Sequence, residues 1–346
     1  MVSVGIIGAT GYAGMELVRL LTCHPGVRLA ALSSVSFEGK AISEVYPGLA
    51  KLCDMKLANE DEVIAASDVV FASLPHGLSE EIAEKCVAAG KVFVDLGADF
   101  RLYDEADYKN WYGLDYKKPE LHKKAVYGLP ELYRERIKTA DIIGNPGCYP
   151  TSIALGLAPA IKNKVISLEG IVIDSKSGVT GAGRSPTQNT HFPEANESLS
   201  AYKAGCHRHT PEIEQTLSEL ASEKVSVTFV PHLLPINRGI ESTIYCRLTE
   251  GIGLDEVHKH YVEFYHGERF VRVMPQGSYA EIRNVRCSNF CDISLHVDAR
   301  THTLIISSVI DNMVKGAAGQ AIQNMNIRFG LDEAAEIGRA SCRERV

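Results

Sequence analysis

The chain has 346 residues, 45% of them hydrophobic and 23% charged, with 36 Lys and Arg against 43 Asp and Glu for a formal net charge of −7. That length predicts two domains, and the composition is that of a globular enzyme. The mild acidity, with no basic cluster, argues against a nucleic-acid partner, and no apolar run reaches the roughly 20 residues that span a bilayer.

The first 150 residues alternate continuous β-branched runs with helical patterns. Strands are expected at 2–8, 27–34, 69–74, 92–97 and 140–145, and helices at 13–24 and 78–90. Such alternation predicts a parallel sheet covered on both faces. The opening MVSVGIIGATG lacks a basic leader region and reads as a strand, not a signal peptide. Nine cysteines are scattered (23, 53, 86, 148, 206, 246, 287, 291 and 342) with no CxxC pair, a pattern that suits a reducing cytoplasm better than a disulfide framework.

Between the first strand and the first helix runs Gly8-Ala9-Thr10-Gly11-Tyr12-Ala13-Gly14. Glycine allows a tight turn and close approach of a pyrophosphate, and the helix aims its N-terminal dipole at the anion. Here the spacing is GxxGxxG. An NAD site places an acid at the end of the second strand to bind the ribose 2′-hydroxyl. This strand ends in Ser33 and Ser34, with Lys40 soon after and no acid before Glu38. Two hydroxyls and a cation suit the 2′-phosphate of NADP. Beyond the fourth strand, Arg101 stands at the end where open α/β sheets bind ligands, a candidate for an anionic substrate.

Asn145-Pro146-Gly147-Cys148-Tyr149-Pro150-Thr151 turns sharply out of a buried strand. Pro150 fits the first position of a helix, which puts Cys148 at or just before its N-terminus. There the dipole favours thiolate over thiol, as a nucleophilic sulfur needs. After residue 150 the rhythm changes to a helix at 151–161 and strands near 169–178, 225–233, 239–248, 291–299 and 302–310, which predict a mostly antiparallel sheet. Arg184 ends the glycine-rich loop 177–184, and Arg238 lies in Ile236-Asn237-Arg238-Gly239; both are further anion-binding candidates. His207-Arg208-His209-Thr210-Pro211-Glu212 opens a helix, with Thr210 as its cap and Pro211 at its first position. An extended lead-in sends His207 and His209 to opposite sides, so that one of them serves as acid/base with Glu212 orienting it. A metal reading of the pair fails for want of ligand spacing. One helix is expected over 312–326, packing back on the first domain. The last nine residues, 338–346, follow a helical LDEAAEI segment (331–337), share none of its patterning and read as an appended or frame-shifted tail.

With these residues in view, the chain closely resembles the N-acetyl-gamma-glutamyl-phosphate reductase family of arginine biosynthesis from residue 2 to about 333. The resemblance is carried by GATGYAG, SLPHG (73–77), DLGADFR (95–101), YGLPE (127–131), NPGCYPT, DSKSGVTGAGR (174–184), HRHTPEI (207–213) and DNMVKGAAGQAIQN (311–324). It implies a Rossmann-type doubly wound sheet over 1–147, completed by the C-terminal helix at about 312–333. It implies an α/β catalytic and oligomerisation domain over 148–311, as in the semialdehyde dehydrogenase group, and a homo-oligomer, a tetramer or a dimer. Further implied are the nucleophile Cys148, acid/base His209 or His207, and NADPH held by the glycine loop with Pro75, Asn312 and Gln320. Asn145, Ser177 and Gly178 would join Arg101, Arg184 and Arg238 around the substrate. The same chemistry on aspartyl or acetyl-aminoadipyl phosphate is the nearest rival; an NADP-binding sensor without turnover and a disulfide oxidoreductase are the others.

Overall fold

The computed structural model describes residues 1–337; the tail at 338–346 lies outside the described residues. Residues 1–146 with 317–337 form one compact unit, and residues 147–316 form a second.

In the first unit, β1 (Val2–Ile7), β2 (Val27–Ser33), β3 (Leu57–Ala58), β4 (Val69–Ala72), β5 (Val92–Asp95), β6 (Val126–Tyr127) and β7 (Ile142–Gly144) form one sheet. Their order is β3-β2-β1-β4-β5-β7-β6, and every pair is parallel. All residues of β4, β5 and β7 are buried, which is why their sequences are unbroken apolar runs rather than alternating ones. The order reverses between β2 and β4 on either side of β1, which makes the loop after β1 a topological switch point.

The C-terminal segment departs from the single helix expected over 312–326. A π-helical turn occupies Val314–Ala318, and the α-helix proper is Gly319–Arg328. The wider turn has a local cause. The Asp311 carboxylate accepts the Met313 and Val314 N–H groups, and Gly316 N–H reaches the carbonyl of Asp311, five residues back. The boundary between the units falls within this turn, so 312–316 sits in the second unit. The helix Gly319–Arg328 packs on the helices Pro130–Ile137 and Tyr12–Leu21. Asn324 Nδ2 donates to Gly128 O at 2.8 Å, and His24 Nε2 pairs with Asn326 Oδ1 at 3.0 Å.

The second unit is built on β8 (Ile171–Gly178), β9 (Ser200–Ala201), β10 (Val227–Leu234), β11 (Ile240–Arg247), β12 (Val271–Val273), β13 (Cys291–Asp298) and β14 (Thr303–Ile310). Their order is β12-β13-β14-β11-β8-β10-β9. Four pairs are antiparallel, while β8·β10 and β12·β13 are parallel, so the sheet is mixed with antiparallel pairs in the majority.

Against this sheet lies the helix Cys148–Lys162, buried from Tyr149 to Ile161. Gly156 lets it approach closely, since a Cβ there would sit 3.1 Å from Ile244 Cδ1 and 3.2 Å from Ser308 Cβ. Pro159 inside the helix removes the N–H that would bond Leu155 O. The Tyr265 hydroxyl donates to that carbonyl instead, at 2.5 Å, and Tyr261 donates to Gly156 O at 2.6 Å. Among the described residues no helix is long and apolar enough to cross a membrane.

Candidate active site

The glycine loop of the first unit is shaped by contacts only glycine permits. Gly8 has φ +80°, and a Cβ there would lie 2.3 Å from Ser73 O; a Cβ on Gly14 would lie 2.2 Å from Gly8 O. Gly8 and Ala9 N–H donate to Ser33 O at 3.1 and 2.9 Å, tying the loop to the end of β2. Gly11 caps the helix Tyr12–Leu21 with no side-chain hydrogen bond, so the first-turn N–H groups, Tyr12 and Ala13 among them, are presented without a side-chain cap. Thr10 Oγ1 and Ser34 Oγ lie 2.7 Å apart. This cradle, closed to a Cβ at Gly8 and Gly14 and edged by hydroxyls, fits a dinucleotide.

Beyond the end of β2 opens a cavity of about 260 Å³ lined by Ser33, Ser34, Glu38, Asn59, Asp61 and Lys85, among others. Lys40 is not part of that lining; its Nζ stands 5.8 Å from the Phe37 ring centroid. The cation at the cavity is Lys85, paired with Asp61 at 2.7 Å. Sequence reasoning missed it because Lys85 arrives from the helix after β4, far along the chain. Pro75 is exposed in the loop after β4, and Gln320 is fully buried in the C-terminal helix.

Arg101 is 6% exposed and aimed by carbonyls: Nε donates to Asn145 O and Nη2 to Leu96 O, both at 2.8 Å. Asn145 is engaged structurally, with Nδ2 on Ala317 O at 3.1 Å and Oδ1 accepting from Asn324 at 3.2 Å.

In the second unit, Cys148 is the first residue of its helix and Gly147 the cap. Pro150 is thus the third helical residue, and the helix starts two residues earlier than its proline suggested. Cys148 is partly exposed. Glu212, fully buried, accepts the Gly147 N–H at 2.8 Å and so braces the residue before the sulfur. From the other side Gly316 presses on Cys148: a Cβ there would lie 2.7 Å from Cys148 Cβ. The small residues of 316–319 were visible in the sequence, but not what they pack against.

The two histidines share a side. The chain before the helix Thr210–Ala221 is a turn, not extended, with His209 at φ −80°, ψ −11° as the cap residue in place of Thr210. The alternation expected of a strand therefore fails. The His207 and His209 rings are 4.9 Å apart, and both stand edge-on to Tyr149 at 5.5 and 6.0 Å. Phe229 and Tyr202 complete the box around His207 at 5.4 and 5.6 Å. His207 Nδ1 accepts the His209 N–H at 3.1 Å, which assigns the ring proton to Nε2.

Burial, with smaller effects of Lys203 and Arg208, lowers the His207 pKa from 6.5 to about 4. Within that window the unfolded chain binds a proton here that the folded chain refuses, so this histidine costs stability as pH falls. His207→Gln is expected to flatten the acid-side loss of stability between pH 6.5 and 4, by about 3 kcal/mol at its low end. Thermal unfolding across that range checks it; an unchanged profile would mean the imidazole is not held neutral.

The remaining candidates gather on the loops around Asn312. Ser177 Oγ donates to Gly178 O at 3.1 Å, and Gly178 leaves no room for a Cβ against Asn237 O, 2.7 Å away. Asn312 is 2% exposed: its Oδ1 accepts from Gly239 N–H at 2.7 Å and its Nδ2 donates to Thr180 Oγ1 at 3.0 Å. Arg238 Nη1 lies 3.8 Å from Asp311 Oδ2, whereas Arg184 sits in the exposed stretch 181–189.

Comparison with known proteins follows the same division. The semialdehyde dehydrogenase NAD-binding domain profile matches residues 3–140, and the semialdehyde dehydrogenase dimerisation domain profile matches 148–312. N-acetyl-gamma-glutamyl-phosphate reductases of Clostridium beijerinckii and Brachyspira hyodysenteriae are each 58% identical to this chain, over 96% of it and 97% of the relative. Among solved structures, aspartate semialdehyde dehydrogenase II of Vibrio cholerae superposes with a TM-score of 0.72 at 17% identity, over 95% of this chain and 98% of that one. Aspartate semialdehyde dehydrogenase with NADP from Candida albicans gives 0.70 at 16%, over 97% and 99%. At those identities the likeness concerns the fold alone. At 58% over nearly the whole length it concerns more: the chain belongs to the N-acetyl-gamma-glutamyl-phosphate reductase family.

Proposed function

We infer that the chain reduces N-acetyl-L-glutamyl 5-phosphate to N-acetyl-L-glutamate 5-semialdehyde and phosphate with NADPH, a step of L-arginine biosynthesis, through a thioester on Cys148. The observation that carries the mechanism is the placement of Cys148 in the first turn of a buried helix, with Gly147 held by Glu212 and Gly316 packed on the sulfur-bearing carbon. The helix dipole and first-turn N–H groups favour the thiolate there and stabilise an oxyanion formed on the adjacent carbonyl.

Thiolate Cys148 attacks the C5 carbonyl; the C–S bond forms, the C–O bond to phosphate breaks, and phosphate leaves with its electron pair. Arginine forks suit that leaving group, and Arg101, Arg184 and Arg238 are the residues we assign to the substrate's anionic groups, together with Ser177 and Gly178. NADPH, when bound, supplies the hydride that takes the thioester to the aldehyde level. The glycine loop, Ser33 and Ser34 would hold its phosphates, with Lys85 rather than Lys40 as the cation beside them, and Pro75 and Gln320 along its course. Asn312 is better read as a brace for the substrate loops than as a cofactor ligand. Between the histidines, His207 is kept neutral and tautomerically fixed, so His209 is the residue that gives and takes the proton of the thiol and carbonyl oxygen. A homo-oligomer, dimer or tetramer, in the cytoplasm agrees with the dimerisation-domain match and the dispersed cysteines.

Substrate identity is tested in the reverse direction, with aldehyde, phosphate and NADP. N-acetylglutamate semialdehyde is expected to be oxidised roughly 100-fold faster or more than its free-amine counterpart or aspartate semialdehyde, because a site made for a neutral amide leaves a buried ammonium unpaired. Equal rates would leave the reaction class but remove the acetylated substrate.

A further inference from the structure

Asp311 lies directly after β14, has no exposed surface, and spends its carboxylate on four groups. Oδ1 accepts Met313 N–H at 2.8 Å and Val314 N–H at 3.2 Å. Oδ2 accepts Cys287 N–H at 2.7 Å and faces Arg238 Nη1 at 3.8 Å. Its backbone carbonyl takes Gly316 N–H at 3.0 Å, closing the π-helical turn. That turn is the one whose Gly316 packs on Cys148. One buried anion thus holds the surface behind the nucleophile and, at the same time, a guanidinium whose side chain is 23% exposed.

Its neighbour Asn312 fixes the same loops from the next position, through Gly239 N–H and Thr180 Oγ1. Thr180 N–H and Oγ1 both donate to Asn237 O, and Gly178 N–H donates to Gly239 O, so the loops 177–183 and 236–239 are tied to each other. A free arginine loses rotamer freedom on gripping an anion; one drawn by charge toward a buried carboxylate 3.8 Å away has less to lose.

We propose that Asp311 is a positioning residue for the reaction, orienting Arg238 toward an anionic group of the substrate while its turn seats Gly316 against Cys148. The proposal rests on the thioester reading given above. Asp311 touches neither substrate nor cofactor; it acts through Arg238 and the turn. Asp311→Asn removes the charge at nearly constant shape: its amide oxygen can still accept the Met313 and Val314 N–H groups, while its NH2 neither pairs with the guanidinium nor accepts the Cys287 N–H, a loss that thermal unfolding reads separately.

The test is a double-mutant cycle of Asp311→Asn and Arg238→Lys in the direction of aldehyde oxidation, reading KM for inorganic phosphate and for the aldehyde separately from kcat, with thermal unfolding as the control for folding. Each single variant is expected to raise one of the two KM values about 10-fold or more, and the double variant no further than the worse single, since both remove the same oriented fork. Independent effects that multiply, or a KM within about twofold of wild type in a folded Asp311→Asn enzyme, would overturn the proposal. Should Asp311→Asn fail to fold, Asp311→Glu carries the test: a carboxylate displaced by one methylene must raise the same KM that Arg238→Lys raises, and an unaltered KM overturns the proposal. Absence of phosphate-dependent NADP reduction in the wild-type protein would instead remove the underlying reductase reading, so the two failures are distinguishable.

Discussion

Cys148→Ser is expected to lower turnover roughly 1000-fold or more while leaving the fold and NADPH affinity unchanged. Serine differs from cysteine by one atom, and Cys148 is partly exposed at a helix start, so little packing is lost. What disappears is the thiolate: a hydroxyl in the same dipole keeps its proton near neutral pH. The same placement predicts selectivity among thiols. Burial raises the Cys86 and Cys246 pKa values to about 12 and raises that of Cys53, and Cys291 is buried too. The fair comparators are the exposed Cys23 and Cys206. Iodoacetamide is expected to label Cys148 before either, by peptide mass mapping. Near-normal turnover in Cys148→Ser would remove covalent catalysis from the mechanism.

Gly14→Ala is expected to weaken NADPH binding about 100-fold, equivalent to about 2.7 kcal/mol. The added methyl would stand 2.2 Å from Gly8 O and 2.9 Å from Ala9 Cα. Both obstacles are backbone, so no side chain can swing aside. The helix Tyr12–Leu21 and the loop must separate, which carries the first-turn N–H groups away from the pyrophosphate they would bind. Overpacking of this kind costs about 1–3 kcal/mol, and here it falls on the cradle itself. Titration of NADPH fluorescence measures it; a dissociation constant within threefold of wild type would mean that the loop yields without consequence.

Much of this was legible from residues alone, for reasons that also mark where reading stops. The parallel strands announce themselves because β4, β5 and β7 are buried on both faces and so lack polar positions. Cys148 stands out because glycine and proline bend the chain around it. The helix start was misplaced by two residues because proline is tolerated anywhere in the first turn, not only at its first position. The histidines were set on opposite sides by a strand rule that the turn at His209 does not obey. Lys40 stands near Ser33 and Ser34 in sequence, whereas Lys85 reaches the cavity beyond β2 from a later helix, a proximity in space that local reading does not show. The pairing of Asp311 with Arg238, and of Gly316 with Cys148, spans 73 and 168 residues and leaves no trace in local pattern.

The most direct measurement of the central claim withholds phosphate. Enzyme mixed with N-acetylglutamate semialdehyde and NADP, without phosphate, should form the acyl-enzyme and stop, since the thioester has no phosphate to accept the acyl group. One equivalent of NADPH per active site should appear in a burst, the acyl mass should be found on the peptide carrying Cys148, and steady turnover should resume when phosphate is added. Steady turnover from the outset with no burst and no acyl adduct on Cys148 would contradict the thioester mechanism.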